Sequence, residues 1–227
     1  MLNIKNPNIA IPIVLIAGIF WSFGPYVVRH IDGANTVPWQ YLFTRGLVIF
    51  ILLNTYLFLE EGFEFYKNYF KIGVSGLVGG IGLGIAMTTF IWSITNTSAA
   101  ITLLCLAAMP FITALLGFLF LKENISISVW ISIIVSAVGI IIMAVGNNNS
   151  GSFFGFLFGM LSSLGFAIFS VSLRWRKETP KFTTVAIAGL FCVLLSGIII
   201  LYSESSFLSS GKNQSLFATH GTLVCFG

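Results

Sequence analysis

The stretch from Thr97 to Leu121 contains no charged side chain and is closed by the pair Lys122-Glu123. At a rise of about 1.5 Å per residue, a helix of this length crosses a bilayer core of roughly 30 Å. The stretch therefore predicts a membrane-spanning helix.

Six further apolar runs have the length of a membrane span and are bounded by charged or turn residues. They cover residues 9–28, 37–59, 72–93, 127–145, 152–173 and 182–202. An eighth apolar run begins near Leu216 and reaches Gly227. Of all residues, 57% are hydrophobic and 8% are charged, whereas soluble domains carry roughly 25% charged residues. We therefore predict an all-α, polytopic membrane helix bundle with the lipid bilayer as a partner.

Charged and sulfur-containing residues argue against several other partners. The formal net charge is +4, but the basic residues are scattered among loops and form no patch for nucleic acid. The cysteines Cys105, Cys192 and Cys225 lie in apolar runs, without a CxxC motif or a histidine at ligand spacing. We predict no disulfide, no metal site and no cofactor. The first apolar run lacks a small-x-small cleavage site, so we interpret it as an uncleaved span.

Lysine and arginine residues between the spans predict the orientation of the chain. With a cytoplasmic N-terminus, eight of them lie inside and two, Arg29 and Lys212, lie outside. The eight inside are Lys5, Lys67, Lys71, Lys122, Arg174, Arg176, Lys177 and Lys181. This bias predicts that the N-terminus faces the cytoplasm. The aromatic residues predicted at the interfaces are Trp39, Tyr41, Trp92 and Tyr202 outside, and Trp130 and Trp175 inside.

A shift of the sequence by about 145 residues superimposes the predicted spans on one another. It places Trp21 on Phe166, Arg29 on Arg174, and the second span on the seventh. Because five spans are an odd number, a second copy would enter the membrane from the opposite side, as in inverted-repeat transporters. We predict a first repeat of five transmembrane helices at 9–145 and a partial second repeat at 152–227, with two complete helices and the start of a third. We interpret the chain as truncated within its eighth span; a natural seven-span protein with a short tail is the alternative.

Arg45 is the leading candidate for a functional residue. It lies eight residues beyond Val37, about 12 Å into the bilayer along the helix. An arginine at such depth costs on the order of 2.5–3.5 kcal/mol on insertion scales and usually faces a bundle interior or a wet cavity. There its planar guanidinium can hold a carboxylate or phosphate. The alternatives are a side chain that extends outward to the interface, or one that pairs with a helix-end carbonyl.

Two further places in the sequence predict cavity residues. Trp21 and Ser22 lie at mid-membrane depth, and Gly24-Pro25 predicts a helix break just beyond them. Pro110 has no N–H to donate, which predicts a freed carbonyl at Leu106. Core packing of Trp21 and a simple packing kink at Pro110 are the alternatives. The predicted cavity residues are Arg45, Trp21, Ser22, Tyr41 and Pro110.

The third span carries glycines at small-xxx-small spacing, at Gly76, Gly80 and Gly84. This spacing lets helix backbones approach closely, so we predict packing within the bundle or between protomers of a homo-oligomer. Gly73-Val74-Ser75-Gly76 also matches the GxSG motif of rhomboid-type intramembrane serine proteases, with His220 as the candidate base. Four spans separate the two residues, so the protease is a distant alternative.

No carboxylate lies within a predicted span, which excludes aspartyl intramembrane proteolysis. The interior of the seventh span contains no lysine, which excludes a retinal Schiff base. We predict that the protein is not an enzyme.

The order of features in the fourth span resembles the fourth helix of the EamA domain in the drug/metabolite transporter superfamily. Small residues at its start are followed by Pro110 and then by Lys122-Glu123 at its end. Residues elsewhere that resemble the same domain are Trp21, Arg45, Trp130 and Gly139, the last of these as a glycine for close packing. The resemblance covers residues 11–145 and two spans of a second domain, to about residue 202.

This resemblance implies a bacterial inner-membrane carrier of about ten spans. Such a carrier would move small metabolites, including amino-acid-like solutes, by alternating access about a central cavity. The residues alone predict a polytopic helical protein with an inverted repeat and a buried arginine. The alternative function is a non-transporting membrane protein, including an inactive remnant left by truncation.

Overall fold

The computed structural model describes residues 7–31, 38–146, 153–209 and 211–226. Within these ranges the chain forms ten α-helices, and a short 3₁₀ turn, Gly62–Tyr66, joins the second to the third. The helices are α1 (Pro7–Arg29), α2 (Pro38–Glu61), α3 (Lys67–Lys71), α4 (Gly73–Asn96), α5 (Ala99–Leu106), α6 (Met109–Leu121), α7 (Ile127–Gly146), α8 (Phe153–Trp175), α9 (Lys181–Tyr202) and α10 (Gly211–Phe226).

Each predicted span coincides with one of these helices or with a pair of them. Among the described residues, five helical stretches are long and apolar enough to cross a membrane. They are Pro38–Lys71, Gly73–Asn96, Ala99–Leu121, Phe153–Trp175 and Lys181–Tyr202, and a shorter apolar helix covers Ile127–Ile142. The all-α polytopic bundle is therefore confirmed.

The fourth span consists of two helices rather than one kinked helix. Ser98 caps α5, since its hydroxyl oxygen accepts a hydrogen bond from the Ile101 N–H at 3.2 Å. Pro110 lies in the first turn of α6, where a missing N–H leaves no intrahelical bond unmade. The proline therefore starts a helix here.

Helix α4 lies in the centre of the bundle and packs through its glycines. A Cβ added at Gly82 would lie 2.9 Å from Cγ2 of Ile168 in α8, and one added at Gly80 would lie 2.6 Å from Cγ2 of Ile187 in α9. Both distances are shorter than a normal carbon contact, so only glycine lets the helices come this close. The predicted packing role of the glycine stripe is confirmed, and it operates within the bundle.

The first part of the chain, α1 to α7, and the second part, α8 to α10, make reciprocal helix contacts. Helix α4 packs against α8 and α9, while α10 packs against α1 and α2. Helices α2 and α9 cross on a pair of glycines: a Cβ added at Gly46 would lie 2.8 Å from the Gly189 oxygen, and one added at Gly189 would lie 2.9 Å from the Gly46 oxygen. Each part thus inserts one helix between two helices of the other.

Helices α5 and α6 pack against α8, and α7 packs mainly against α6. Phe118 and Trp130 form the α6–α7 contact, edge to face, with ring centroids 5.6 Å apart. Nothing in the described structure lies within 4 Å of a Cβ added at Gly139. The prediction that Gly139 allows close packing is therefore wrong, because α7 lies at the periphery and this face of it is exposed.

The end of α6 is fixed by the pair Lys122-Glu123. Lys122 adopts a left-handed conformation with φ of 54°, and the Glu123 N–H donates to the Gly117 oxygen at 3.2 Å, which closes the helix. The Glu123 carboxylate accepts a hydrogen bond from Nη1 of Arg174 at 2.8 Å. This ion pair joins the end of α6 to the end of α8.

Helix α1 continues through Gly24-Pro25, so the predicted break at this dipeptide is wrong. A proline removes one hydrogen bond, but leaving the helix within the membrane would expose several backbone groups to hydrocarbon. Continuing the helix is the less costly arrangement. Gly24 instead serves a contact with α10, which is described below.

Candidate functional site

A small cavity of about 40 Å³ lies where α1, α2, α4, α5, α8 and α10 meet. Its described lining residues are Gly24, Arg45, Met87, Phe90, Leu103, Leu106, Phe166, His220 and Val224. Most of these side chains are apolar, and Arg45 carries the one permanent charge among them. The cavity is therefore a place in the bundle centre where one cation faces an apolar chamber.

Arg45 lies on α2 and is 5% exposed. Its Nε and Nη1 atoms are buried and have no hydrogen-bond partner in the described structure. Gly221 of α10 packs directly on this turn of α2, since a Cβ added there would lie 3.3 Å from the Arg45 carbonyl oxygen. The low exposure of Arg45 and the burial of its Nε and Nη1 atoms place the guanidinium inside the bundle, which contradicts the alternative of a side chain that extends to the interface.

His220 on α10 lies beside Arg45 in the cavity wall and is 3% exposed. Its Nδ1 atom is hydrogen bonded to the Tyr41 hydroxyl of α2. On its other side, Nε2 would lie 2.8 Å from a Cβ added at Gly24 of α1. The imidazole thus fills the space that this glycine leaves open, and it joins α1, α2 and α10.

Tyr41 is 2% exposed and also packs edge to face on Phe217, with ring centroids 5.1 Å apart. The prediction that Tyr41 lies in the aromatic belt at the membrane surface is wrong. Its hydroxyl group has a partner in His220 and does not need water or headgroups. The residue belongs to the bundle core next to the cavity.

A polar seam extends between α2 and α10. Nε2 of Gln214 donates to the Thr44 hydroxyl at 2.9 Å, and the Oε1 atom of Gln214 is buried without a partner among the described residues. Tyr41, Thr44 and Arg45 lie at i, i+3 and i+4 and therefore share one face of α2. Polar groups inside a membrane bundle are costly to bury, so their concentration on this helix pair indicates a candidate site.

The structure brings together only part of the predicted site. Arg45 lines the cavity, and Tyr41 adjoins it through His220. Pro110 is exposed and is not among the residues that line the cavity. The backbone of Trp21 and Ser22 lies in α1, but their side chains fall outside the described residues.

Sequence reasoning missed His220 as a cavity residue. The available signal was a histidine inside an apolar run, which in a membrane helix is a functional indication in its own right. Gln214 and Thr44 gave a weaker signal, because uncharged polar residues are common in membrane helices.

The protease alternative requires contact between Ser75 and His220. The Ser75 hydroxyl instead shares a hydrogen bond with the Thr179 hydroxyl at 2.7 Å. Both nitrogens of His220 face other residues, Tyr41 and Gly24. These side chains therefore do not form a catalytic dyad.

Comparison with known proteins agrees with the architecture. Residues 8–145, more than half of the chain, match the EamA-like transporter family. The chain belongs to this family. The matched region extends from α1 through α7 and contains Arg45, Tyr41 and most of the other cavity residues.

Two relatives of this EamA-family chain are proteins of Helicobacter pylori, from strains J99 and 26695, and each is named as an uncharacterized transporter. Each is 27% identical over 177 residues, which make up 77% of the present chain. The chain spans 58% of the length of each relative over this match.

The EamA-family chain has a second, larger cavity, of about 580 Å³, between α4, α6 and α8. It is lined by Val78, Leu116, Phe120, Leu121, Leu164, Ile168, Val171, Ser172 and Trp175. The one hydroxyl group among these lining residues, on Ser172, already donates to the Phe169 carbonyl at 2.7 Å. The described lining of this cavity offers apolar surface but no charged side chain, so the Arg45 cavity is the better candidate for a polar solute.

The Tyr41–His220 hydrogen bond gives the first testable prediction. Tyr41→Phe should lower the free energy of unfolding by about 1 kcal/mol, because it leaves a buried imidazole nitrogen without its partner. Thermal unfolding of the purified protein would measure this loss as a lower Tm.

Tyr69→Phe is the matched control, because it also removes a tyrosine hydroxyl that donates a hydrogen bond, here to Asn54 at 2.7 Å. That bond is only partly buried, so its loss should cost less. Equal destabilisation by the two variants would contradict a special role for the buried pair.

Proposed function

We propose that this chain forms the core of a membrane transporter that moves small metabolites by alternating access about the Arg45 cavity. The observation that carries the proposal is the buried guanidinium, which lies in a chamber at the meeting point of six helices and has two nitrogens without a partner among the described residues. A charge in this position is costly to bury, and in membrane helices such charges commonly mark a solute or ion pathway.

The reciprocal helix packing supports a mechanism of this kind. If residues 9–145 and 152–227 are a complete and a partial copy of one inverted repeat, then α4 corresponds to α10, and α8 and α9 correspond to α1 and α2. Each copy would then insert its third helix between the first two helices of the other, as the contacts require. Inverted copies that pack in this way can rock about a central site and open it to each side in turn.

The proposed location is the bacterial inner membrane, with the N-terminus in the cytoplasm. The bias of eight basic residues inside against two outside supports this orientation. In it, the Arg174–Glu123 ion pair lies at the cytoplasmic ends of α8 and α6. A cysteine introduced after Tyr202 should therefore react with a membrane-impermeant thiol reagent that is added from outside the cell, and not with one added from the cytoplasmic side.

Access to the cavity from both sides of the membrane is the test of this function. Leu106 lines the cavity, and Leu106→Cys should react with a membrane-impermeant thiol reagent both in right-side-out and in inside-out vesicles. Cys225→Ser provides the background for this variant and for its control, because Cys225 is only partly buried, whereas Cys105 and Cys192 are buried.

Leu119→Cys is the control for this experiment. Leu119 is 58% exposed on α6 and does not line the cavity, so a charged reagent should not reach it within the bilayer. Labelling of Leu106→Cys from one side alone would indicate a non-transporting membrane protein and would contradict the proposal. Labelling of Leu106→Cys from both sides, together with solute flux in reconstituted vesicles, would support the proposal.

A further inference from the structure

The cavity contains a positive charge but no described group to balance it. None of its described lining residues is Asp or Glu, and the carboxylates of the described chain lie at helix ends or in the segments between helices, in Glu60, Glu61, Glu64, Glu123, Glu178 and Glu204. A buried cation without an anion keeps its full desolvation cost. Among the described residues the guanidinium therefore lacks a counter-charge, and a bound anion would supply one.

The guanidinium has hydrogen-bond donors that such a partner could use. Nε and Nη1 of Arg45 have no hydrogen-bond acceptor in the described structure, although neighbouring polar groups are paired, Tyr41 with His220 and Thr44 with Gln214. Arginine donors match the two oxygens of a carboxylate in one plane. The free volume of about 40 Å³ is close to that of one or two water molecules, so in this closed arrangement it admits a carboxylate group only, and the body of the solute would enter when the helices move apart as the proposed alternating access requires.

The rest of the cavity wall is apolar. Met87, Phe90 and Phe166 approach from α4 and α8, and Leu103 and Leu106 approach from α5. These side chains offer contact area to a hydrocarbon or aromatic body but no anion for an ammonium group. A zwitterionic amino acid would therefore bury its positive end without a charged partner.

We infer that the site selects a small organic monocarboxylate with an apolar body, held at its carboxylate by Arg45. The inference rests on the proposed function and gives its substrate a chemical class. It favours a net anion over the amino-acid-like solute that the family resemblance implies, because the cavity supplies one permanent charge and that charge is positive. Binding of the anion also gives the buried guanidinium its missing counter-charge, so the complex should unfold at a higher temperature than the free protein.

Three compounds with the same aromatic body separate the alternatives: phenylacetate, phenylalanine and phenethylamine are an anion, a zwitterion and a cation near neutral pH. The purified full chain in lipid nanodiscs would be tested for binding and for the shift in Tm at millimolar concentrations of each. Phenylacetate should raise Tm and bind about tenfold or more tightly than phenylalanine, and phenethylamine should produce no shift.

Arg45→Gln should remove the response to phenylacetate, while Arg176→Gln should retain it, because Arg176 is an exposed arginine at the end of α8. Arg45→Lys keeps the charge but not the planar fork, so it should bind phenylacetate about tenfold more weakly and still prefer the anion. This variant keeps the test decisive if Arg45→Gln fails to fold.

Equal or tighter binding of phenylalanine or phenethylamine, binding of phenylacetate that survives in Arg45→Gln, or no binding of any of the three would overturn the inference. If phenylacetate binds through Arg45 but does not cross a vesicle membrane, the inference stands and the proposed transport fails. If vesicles transport a cation or zwitterion instead, the transport proposal stands and the inference fails.

Discussion

Replacement of Arg45 with alanine is expected to abolish solute flux in reconstituted vesicles while the protein still inserts into the membrane. The guanidinium is the charged contact that the cavity offers, and truncating one partner of a buried charge pair costs on the order of 3 kcal/mol, or about 100-fold in affinity. The measurement is uptake of a transported solute per unit of inserted protein. Removing the charge should not impair folding, because the side chain has no described hydrogen bond to lose.

Arg176→Ala is the matched control for that experiment. Arg176 is exposed at the end of α8, where it forms a loose ion pair with Glu178 at 3.7 Å. An exposed pair of this kind contributes little, so flux should remain close to that of the parent protein. Flux that persists in Arg45→Ala would show that the solute binds elsewhere and would exclude this cavity as the transport site.

Substitution of Gly165 with leucine is expected to prevent assembly of the bundle. A Cβ at this position would lie 2.6 Å from the Gly82 carbonyl oxygen and 2.9 Å from the Ala86 Cβ, so α8 and α4 would have to separate. Overpacking of a buried contact costs about 3 kcal/mol, and here the obstacle is backbone, which cannot rotate away. The yield of monodisperse protein in size-exclusion chromatography should fall severely.

Gly139→Leu provides the same substitution on a membrane helix where nothing in the described structure lies within 4 Å of the new Cβ. This variant should be recovered in the same amount as the parent protein. Similar recovery of Gly165→Leu and the parent would mean that α4 and α8 are not in close contact in the membrane.

The spans could be predicted from sequence because one physical quantity dominates them. A segment of the required length with no internal charge must be helical in hydrocarbon, and charged or turn residues mark its ends. The observed α9, Lys181–Tyr202, differs from its predicted range by one residue at its start. The glycines of α4 were equally informative, because close approach of backbones is the main use of that spacing in lipid.

The details of the site were less predictable, because they depend on which faces of distant helices meet. Tyr41 fits the interface belt by depth alone, and only the position of α10 places His220 against its hydroxyl. Gly24-Pro25 has the local signature of a break, but the membrane favours a continuous helix, and Gly24 makes room for the imidazole instead. Arg45 was found because a charge at that depth is anomalous whatever its neighbours are.

The glycine face of α4 has a consequence for biosynthesis. Helix α4 ends at Asn96, yet the two helices that cover its glycines, α8 and α9, are not complete until the ribosome has passed Tyr202. Until α8 and α9 have been synthesised, the glycine face of α4 is in contact with lipid or with the insertion machinery. If translation stalls or terminates between Asn96 and Tyr202, α4 remains in the membrane without the helices that cover its glycine face. We expect membrane quality control to recognise and degrade such a product.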